Sequence, residues 1–157
     1  MFNSLRDVLV FIQVFRFDDG HNIYTLYGHK GGVTSLYLDP CEPAGAVSGG
    51  EEGSLRIWDL ETGVCLHKLH GHTAPVTSVT ATRSHIVSSG LDDRLCIWLR
   101  ERGTMLHWLQ LGMGFCSSVA MLNNNLMLSS AQVHHCCCFF LQNLSIFLYL
   151  IEIIFCY

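Results

Sequence analysis

Apolar residues in this chain come in short runs, each closed by a cluster of Gly, Asp, Asn or Ser, which is the punctuation of strands and not of helices. In residues 54–59, Leu55, Ile57 and Asp59 alternate with Arg56 and Trp58, the two-residue period of a strand with two unlike faces. The pattern predicts strands over residues 33–38, 45–48, 54–59 and 64–69, and again over 76–80, 85–89, 94–99 and 105–110. It reaches back to residues 11–17 and 23–27. Forward it continues through 116–121 and 126–130, with an Asn123-Asn124-Asn125 turn between them.

The two central groups repeat one motif. Gly28-His29 leads to Ser48-Gly49-Gly50 and then to Glu52-Gly53-Ser54-Leu55-Arg56-Ile57-Trp58-Asp59. Gly71-His72 leads to Ser88-Ser89-Gly90 and then to Asp92-Asp93-Arg94-Leu95-Cys96-Ile97-Trp98. Trp58 and Trp98 lie 40 residues apart, and His29 and His72 lie 43 apart. That period and signature are those of WD40 repeats, each a four-stranded blade of a β-propeller. The predicted fold class is all-β, a partial WD40 β-propeller with two whole blades, a half blade on each side and an incomplete ring. Residues 1–27 end a preceding blade, with Phe15 at the tryptophan position and no room in 1–7 for that blade's first two strands. Residues 28–70 and 71–111 are the whole blades, 112–132 the first half of a degenerate third, and 133–157 a divergent apolar tail. At least three stacked repeats are usually needed for stability, so the isolated chain is expected to fold poorly or to aggregate.

Composition narrows the function. A net charge of −4 with only nine Lys and Arg leaves no basic surface for nucleic acid. Hydrophobic residues make up 50%, and part of that excess sits in 144–157, where Glu152 is the sole charge. Those fourteen residues are too few to cross a bilayer; extended back to Cys136, the segment takes in Gln142, Asn143 and Ser145. A terminus foreign to the repeat, such as translated intronic sequence, is favoured over a tail anchor, and its apolar run is an aggregation hazard. Leu9-Val10-Phe11-Ile12 is too short for a signal-peptide core. The eight cysteines, scattered or crowded after residue 135, read as reduced thiols facing the cytosol and not as a disulfide framework. His134-His135-Cys136-Cys137-Cys138 lacks the spacing of a zinc site, and no metal is expected. The same run beside an apolar segment admits palmitoylation as a weaker reading. Asn143-Leu144-Ser145 is a glycosylation sequon only in a lumenal compartment.

In a WD40 blade the Gly-His histidine meets a strand hydroxyl, a turn carboxylate and the tryptophan indole. His29, Ser48, Glu52 and Trp58 fill these roles in one blade, and His72, Ser88, Asp92 and Trp98 in the next. Glu52 stands where Asp is expected, which predicts a looser network there. A Ser-His-Asp hydrolase would use the same residue types. Recurrence once per blade favours a buried structural network, so no enzyme and no cofactor are expected. Gly31-Gly32 and Gly49-Gly50 precede no helix and carry no Lys-Ser/Thr, which makes them turn glycines and not phosphate loops.

The motifs resemble one family more closely. Val47-Ser48-Gly49-Gly50 leading to Trp58-Asp59, Val87-Ser88-Ser89-Gly90-Leu91-Asp92-Asp93 leading to Ile97-Trp98, and Gly112 without its histidine before Leu126-Met127-Leu128 are similar to the WD40 region of the sterol regulatory element-binding protein cleavage-activating proteins. The resemblance covers about residues 8–132. It implies an escort whose propeller grips the C-terminal regulatory domain of a membrane-bound sterol regulatory element-binding protein. The complex would travel in COPII vesicles from endoplasmic reticulum to Golgi, with this region facing the cytosol. Sterol binding in that family belongs to membrane segments that this chain does not contain. Lys30, Glu51, Arg56, Arg94 and Arg100 are the loop residues expected to meet the partner, with Arg56 and Arg94 placed to pair with an acidic strip. The competing reading is a soluble WD40 scaffold, such as a ubiquitin-ligase substrate receptor or a signalling adaptor.

Overall fold

The computed structural model describes residues 10–39, 45–111, 116–122, 126–131, 136–142 and 145–147. The expectations for residues 1–9, for the Asn123-Asn124-Asn125 turn, for His134-His135 and for most of the apolar tail lie outside these. Every described element is a strand. Strands β1 (Phe11–Phe15) and β2 (Asn22–Tyr27) form a two-stranded antiparallel pair, the expected half blade. Strands β3 (Val33–Asp39), β4 (Gly45–Gly50), β5 (Ser54–Asp59) and β6 (Val64–His70) form the first whole blade in simple meander order. Strands β7 (Val76–Ala81), β8 (His85–Gly90), β9 (Arg94–Leu99) and β10 (Thr104–Gln110) repeat it. The strands at 54–59 and 94–99 stand as expected, and the others differ from expectation by one or two residues at an end.

The third sheet departs from the half blade anticipated at 112–132. Strands β11 (Cys116–Leu122) and β12 (Leu126–Ala131) are followed by β13 (Cys136–Gln142) and β14 (Ser145–Phe147), and all four pair antiparallel in sequence order. The repeat motif ends near residue 132, but strand pairing does not. Pairing needs only backbone groups and an extended apolar run, and Cys136–Gln142 supplies both, in register with β12 from Leu126↔Phe140 to Ser130↔Cys136.

The apolar core lies between sheets. Val47, Leu55, Ile57 and Leu69 of the first blade share one cluster with Val76, Val79, Ala81, Ile86 and Trp98 of the second. Val87, Leu95 and Ile97 then pack with Cys116 and Val119 of the third. On the other side, Trp58 and Ala46 meet Leu26, Ile12, Val14 and Tyr24 of the half blade. The second strand of the first blade is covered on both faces, which is why β4 is buried along its entire length and built from small residues. Two turn positions show what local geometry demands. Gly53 and Asp93 occupy the same place after β4 and β8, both at positive φ (75° and 58°), a region open to Gly and tolerated by Asp. No described helix is long and apolar enough to cross a membrane.

Candidate functional site: buried tetrads and the rim around them

Each whole blade holds one polar chain of four residues. In the second blade Trp98 Nε1 donates to Ser88 Oγ at 2.9 Å, and Ser88 Oγ lies 2.8 Å from His72 Nε2. His72 Nδ1 is 2.9 Å from the Asp92 carboxylate, which also accepts the backbone N–H of Thr73 at 2.9 Å. One assignment satisfies every group. The indole donates to the serine, the serine hydroxyl donates to Nε2, and Nδ1–H donates to the carboxylate. The network ties the loop before β7, the turn after β8 and the strand β9 into one unit. The motif glycine has its own reason, since a Cβ on Gly71 would stand 2.7 Å from Trp98 Cη2.

The first blade repeats this with a different carboxylate. Trp58 Nε1 donates to Ser48 Oγ at 2.8 Å, Ser48 Oγ is 2.7 Å from His29 Nε2, and His29 Nδ1 is 2.6 Å from Glu52 Oε1. The looser network expected from Glu52 is not what the distances show, because the extra methylene still lets the carboxylate reach the ring. What changes is its second donor. Ser54 Oγ bonds Glu52 Oε1 at 2.6 Å, while Glu52 Oε2 is buried with no hydrogen-bond partner. Ser48 and Ser88 are fully buried, so no substrate carbonyl can approach either hydroxyl. The arrangement satisfies the indole, hydroxyl and imidazole of each blade and does not present a nucleophile.

These environments shift the titrations. Burial lowers the His29 pKa below 6.5, against the opposing pull of Glu52. For Glu52, burial alone would raise the pKa, but hydrogen bonds from Ser54 and His29 overcome it and hold the carboxyl at about 2, below the ordinary 4.5. Burial likewise works against Asp92, and the Thr73 N–H and His72 still bring it below its ordinary value. Burial and the neighbouring Asp92 push the Cys96 thiol up to about 12, leaving it protonated and unreactive.

Acid is therefore expected to weaken the first blade in two stages. His29 prefers to be neutral when folded, so its contribution is complete above 6.5 and is lost as pH falls below that value. The Glu52 contribution is complete above 4.5 and is lost as pH falls from there towards about 2. Urea midpoints measured against pH should fall along this course, and Glu52→Gln should flatten the lower stage. A midpoint level from pH 7 to 3 would contradict the assignment.

The five residues expected at a partner surface divide into two groups. Arg56 turns inward: Nη2 donates to Gly28 O at 2.5 Å, Nη1 to Cys65 Sγ at 3.4 Å, and the guanidinium lies 5.8 Å from the Trp58 ring centre. Arg100 bridges the blades, with Nη1 on the Asp39 carboxylate of β3 and on Thr82 O. Both arginines are thus internal ties. Lys30 and Glu51 are exposed, on the connections at the end of the first blade that carries its histidine, with Glu51 accepting the Gly32 N–H at 2.9 Å. Arg94 opens β9 at the matching end of the second blade, and its guanidinium stacks 4.8 Å from the Trp108 ring centre.

Sequence reasoning passed over Trp108, which stays 50% exposed on the outermost strand of its blade. Its signal was present, since it takes the position that Lys68 holds in β6, where an aromatic ring is out of place unless something covers it. Among the described residues no group of three or more His, Cys, Asp and Glu side chains converges as a metal site would require.

Residues 20–59 and 63–98 match the WD40 family, described as WD domain, G-beta repeat. The chain is similar to the Sterol regulatory element-binding protein cleavage-activating protein of Xenopus laevis, at 36% identity over 113 residues, covering 72% of this chain and 8% of that protein. It is also similar to Nuclear distribution protein PAC1-2 of Uncinocarpus reesii, at 36% identity over 90 residues, covering 52% of this chain and 20% of that protein. It thus spans a fifth or less of the length of either relative. The crystal structure of the computationally designed Ika8 protein superposes with a TM-score of 0.72 at 23% identity, over 85% of this chain and 41% of that one, a likeness of fold alone. With two matched repeats, each built around its own Trp-Ser-His-carboxylate network, this chain belongs to the WD40 repeat family.

Proposed function

We propose that this chain is a protein-docking WD40 segment of a sterol-regulated escort, and that it meets the C-terminal regulatory domain of a sterol regulatory element-binding protein. The observation that carries this reading is the 113-residue similarity to the cleavage-activating protein, which runs beyond the two matched repeats. The geometry supports a docking role in general. Rigid blades, fixed by buried tetrads, hold exposed side chains in set positions, and such preorganisation lowers the entropy lost on binding. In this reading the parent protein works at the endoplasmic reticulum and Golgi membranes and in COPII vesicles, with the blades on the cytosolic side.

The docking patch is the rim formed by Lys30, Glu51, Arg94 and Trp108. Trp108 and Arg94 are of the residue types most enriched at binding hot spots, and the tryptophan is half exposed beneath the guanidinium. Arg94→Glu and Trp108→Ala should each weaken capture of the regulatory domain about tenfold or more, with unfolding unchanged. Arg56→Glu should instead destabilise the first blade, because its guanidinium is committed to Gly28 and Trp58. Unchanged capture by both rim variants would remove this patch from the interface.

The 90-residue similarity to a nuclear distribution protein favours a second reading, a scaffold unconnected with sterol control. Capture of the regulatory domain separates the two, since a scaffold of that kind has no reason to bind it.

A further inference from the structure

The corner of the second blade that carries Arg94 and Trp108 is braced, and the matching corner of the first blade is not. Asp93, at φ 58° in the turn between β8 and β9, is tied twice to the end of β10. Gln110 Nε2 donates to its Oδ2 at 3.0 Å, and the Leu111 N–H donates to its carbonyl at 3.0 Å. Arg94 comes next in the chain and pairs with Gln110 in the ladder. Trp108 stands two residues before Gln110 and so on the same face of β10. The guanidinium crosses that diagonal to lie 4.8 Å from the ring centre. Turn, strand end, arginine and ring thus form one closed frame.

The first blade lacks every part of it. By register, Gly53, Ser54, Lys68 and His70 stand where Asp93, Arg94, Trp108 and Gln110 stand in the second. A Cβ at Gly53 would meet the His72 carbonyl oxygen at 2.7 Å, so no larger residue fits there. The Ser54 hydroxyl is committed to Glu52 Oε1 at 2.6 Å. In the second blade Asp92 takes its donors from His72 and from the Thr73 and Arg94 N–H groups instead. Position 94 therefore needs no hydroxyl for the tetrad and can carry a long side chain outward. Four differences between otherwise matching blades meet at one corner, and together they order an arginine. Its stacking leaves the edge of the guanidinium, where the N–H donors lie, directed away from the ring.

We propose that Asp93 and Gln110 are positioning residues for the docking pair. Their bond fixes the end of β10 against the turn, so that Arg94 lies on Trp108 and presents an ordered N–H edge to a carboxylate of the partner. The inference rests on the docking role read above for Arg94 and Trp108, and adds the two side chains that preorganise them.

Acrylamide quenching of tryptophan fluorescence tests the brace without the partner. Trp58 and Trp98 are 2% and 1% exposed against 50% for Trp108, so the quenching reads Trp108. Asp93→Gly suits the positive φ, and Gln110→Leu keeps a side chain of similar size. Both should raise quenching to the level of Arg94→Ala, with urea midpoints within about 0.3 M of the parent chain. Asp93→Asn keeps an oxygen for Gln110 and should quench as the parent does. In calorimetry with the C-terminal regulatory domain, Asp93→Gly and Gln110→Leu should bind about three- to fivefold more weakly. Neither should cause further loss when added to Arg94→Ala. Quenching at the parent level in both brace variants overturns the proposal whether or not the domain binds. Raised quenching with unchanged affinity overturns it as well, since the brace would then not serve docking. A parent chain that does not bind the domain overturns the docking reading itself, a failure that the quenching series tells apart from failure of the brace.

Discussion

Replacing Trp98 by alanine is expected to cost about 3–5 kcal/mol, the range for removing a large aromatic from a packed core. The indole is fully buried, in one cluster with Val47, Leu55, Ile57 and Leu69 of the preceding blade. The loss therefore falls on the junction between blades and not on one sheet. Ser88 Oγ also loses its indole donor, keeping His72 alone, and the ring no longer backs the loop at Gly71. Equilibrium urea unfolding checks this, and a cost under about 1 kcal/mol would show that the blades do not depend on the indole. Because the role is structural, any binding function should fall in step with the folded fraction.

Ser88→Ala should be the second largest effect. One hydroxyl serves both Trp98 Nε1 and His72 Nε2, so its removal leaves two buried polar groups without partners. At about 1–2 kcal/mol for each stranded group, a loss of roughly 2–4 kcal/mol is expected for a change of a single oxygen. A double-mutant cycle isolates the network from packing. In a Trp98→Phe background there is no indole N–H to strand, so Ser88→Ala should cost about 1–2 kcal/mol less than in the parent chain. Equal costs in both backgrounds would mean that the indole bond contributes nothing.

The blades were legible because their motif is tied to geometry at fixed offsets. Gly71 leaves room for Trp98, Ser88 sits where indole and imidazole converge, and the turn after β8 needs a residue able to take positive φ. Each requirement falls on a residue type that stands out in a sequence. The last two strands of the third sheet have no such requirement. Cys136–Gln142 pairs through its backbone, which needs no motif, so the loss of Trp-Asp there gave no sign that pairing continued. The arginines show a second limit. Sequence places charge on a loop or strand end but does not say where a long side chain goes. Arg56 folded back onto Gly28, Arg100 crossed to Asp39, and only Arg94 stayed at the rim against Trp108. The hydrogen bond from Thr34 Oγ1 to the Val76 carbonyl was equally hidden, because a bulge moves a hydroxyl out of the two-residue alternation from which strand faces are read.

The docking claim is tested most directly by titrating the purified chain with the C-terminal regulatory domain of a sterol regulatory element-binding protein, followed by calorimetry, with near-ultraviolet circular dichroism of the three tryptophans recorded beforehand on the same sample. The account predicts saturable one-to-one binding that Arg94→Glu weakens about tenfold or more while the urea midpoint stays unchanged. A native tryptophan signal with no heat of binding would contradict it.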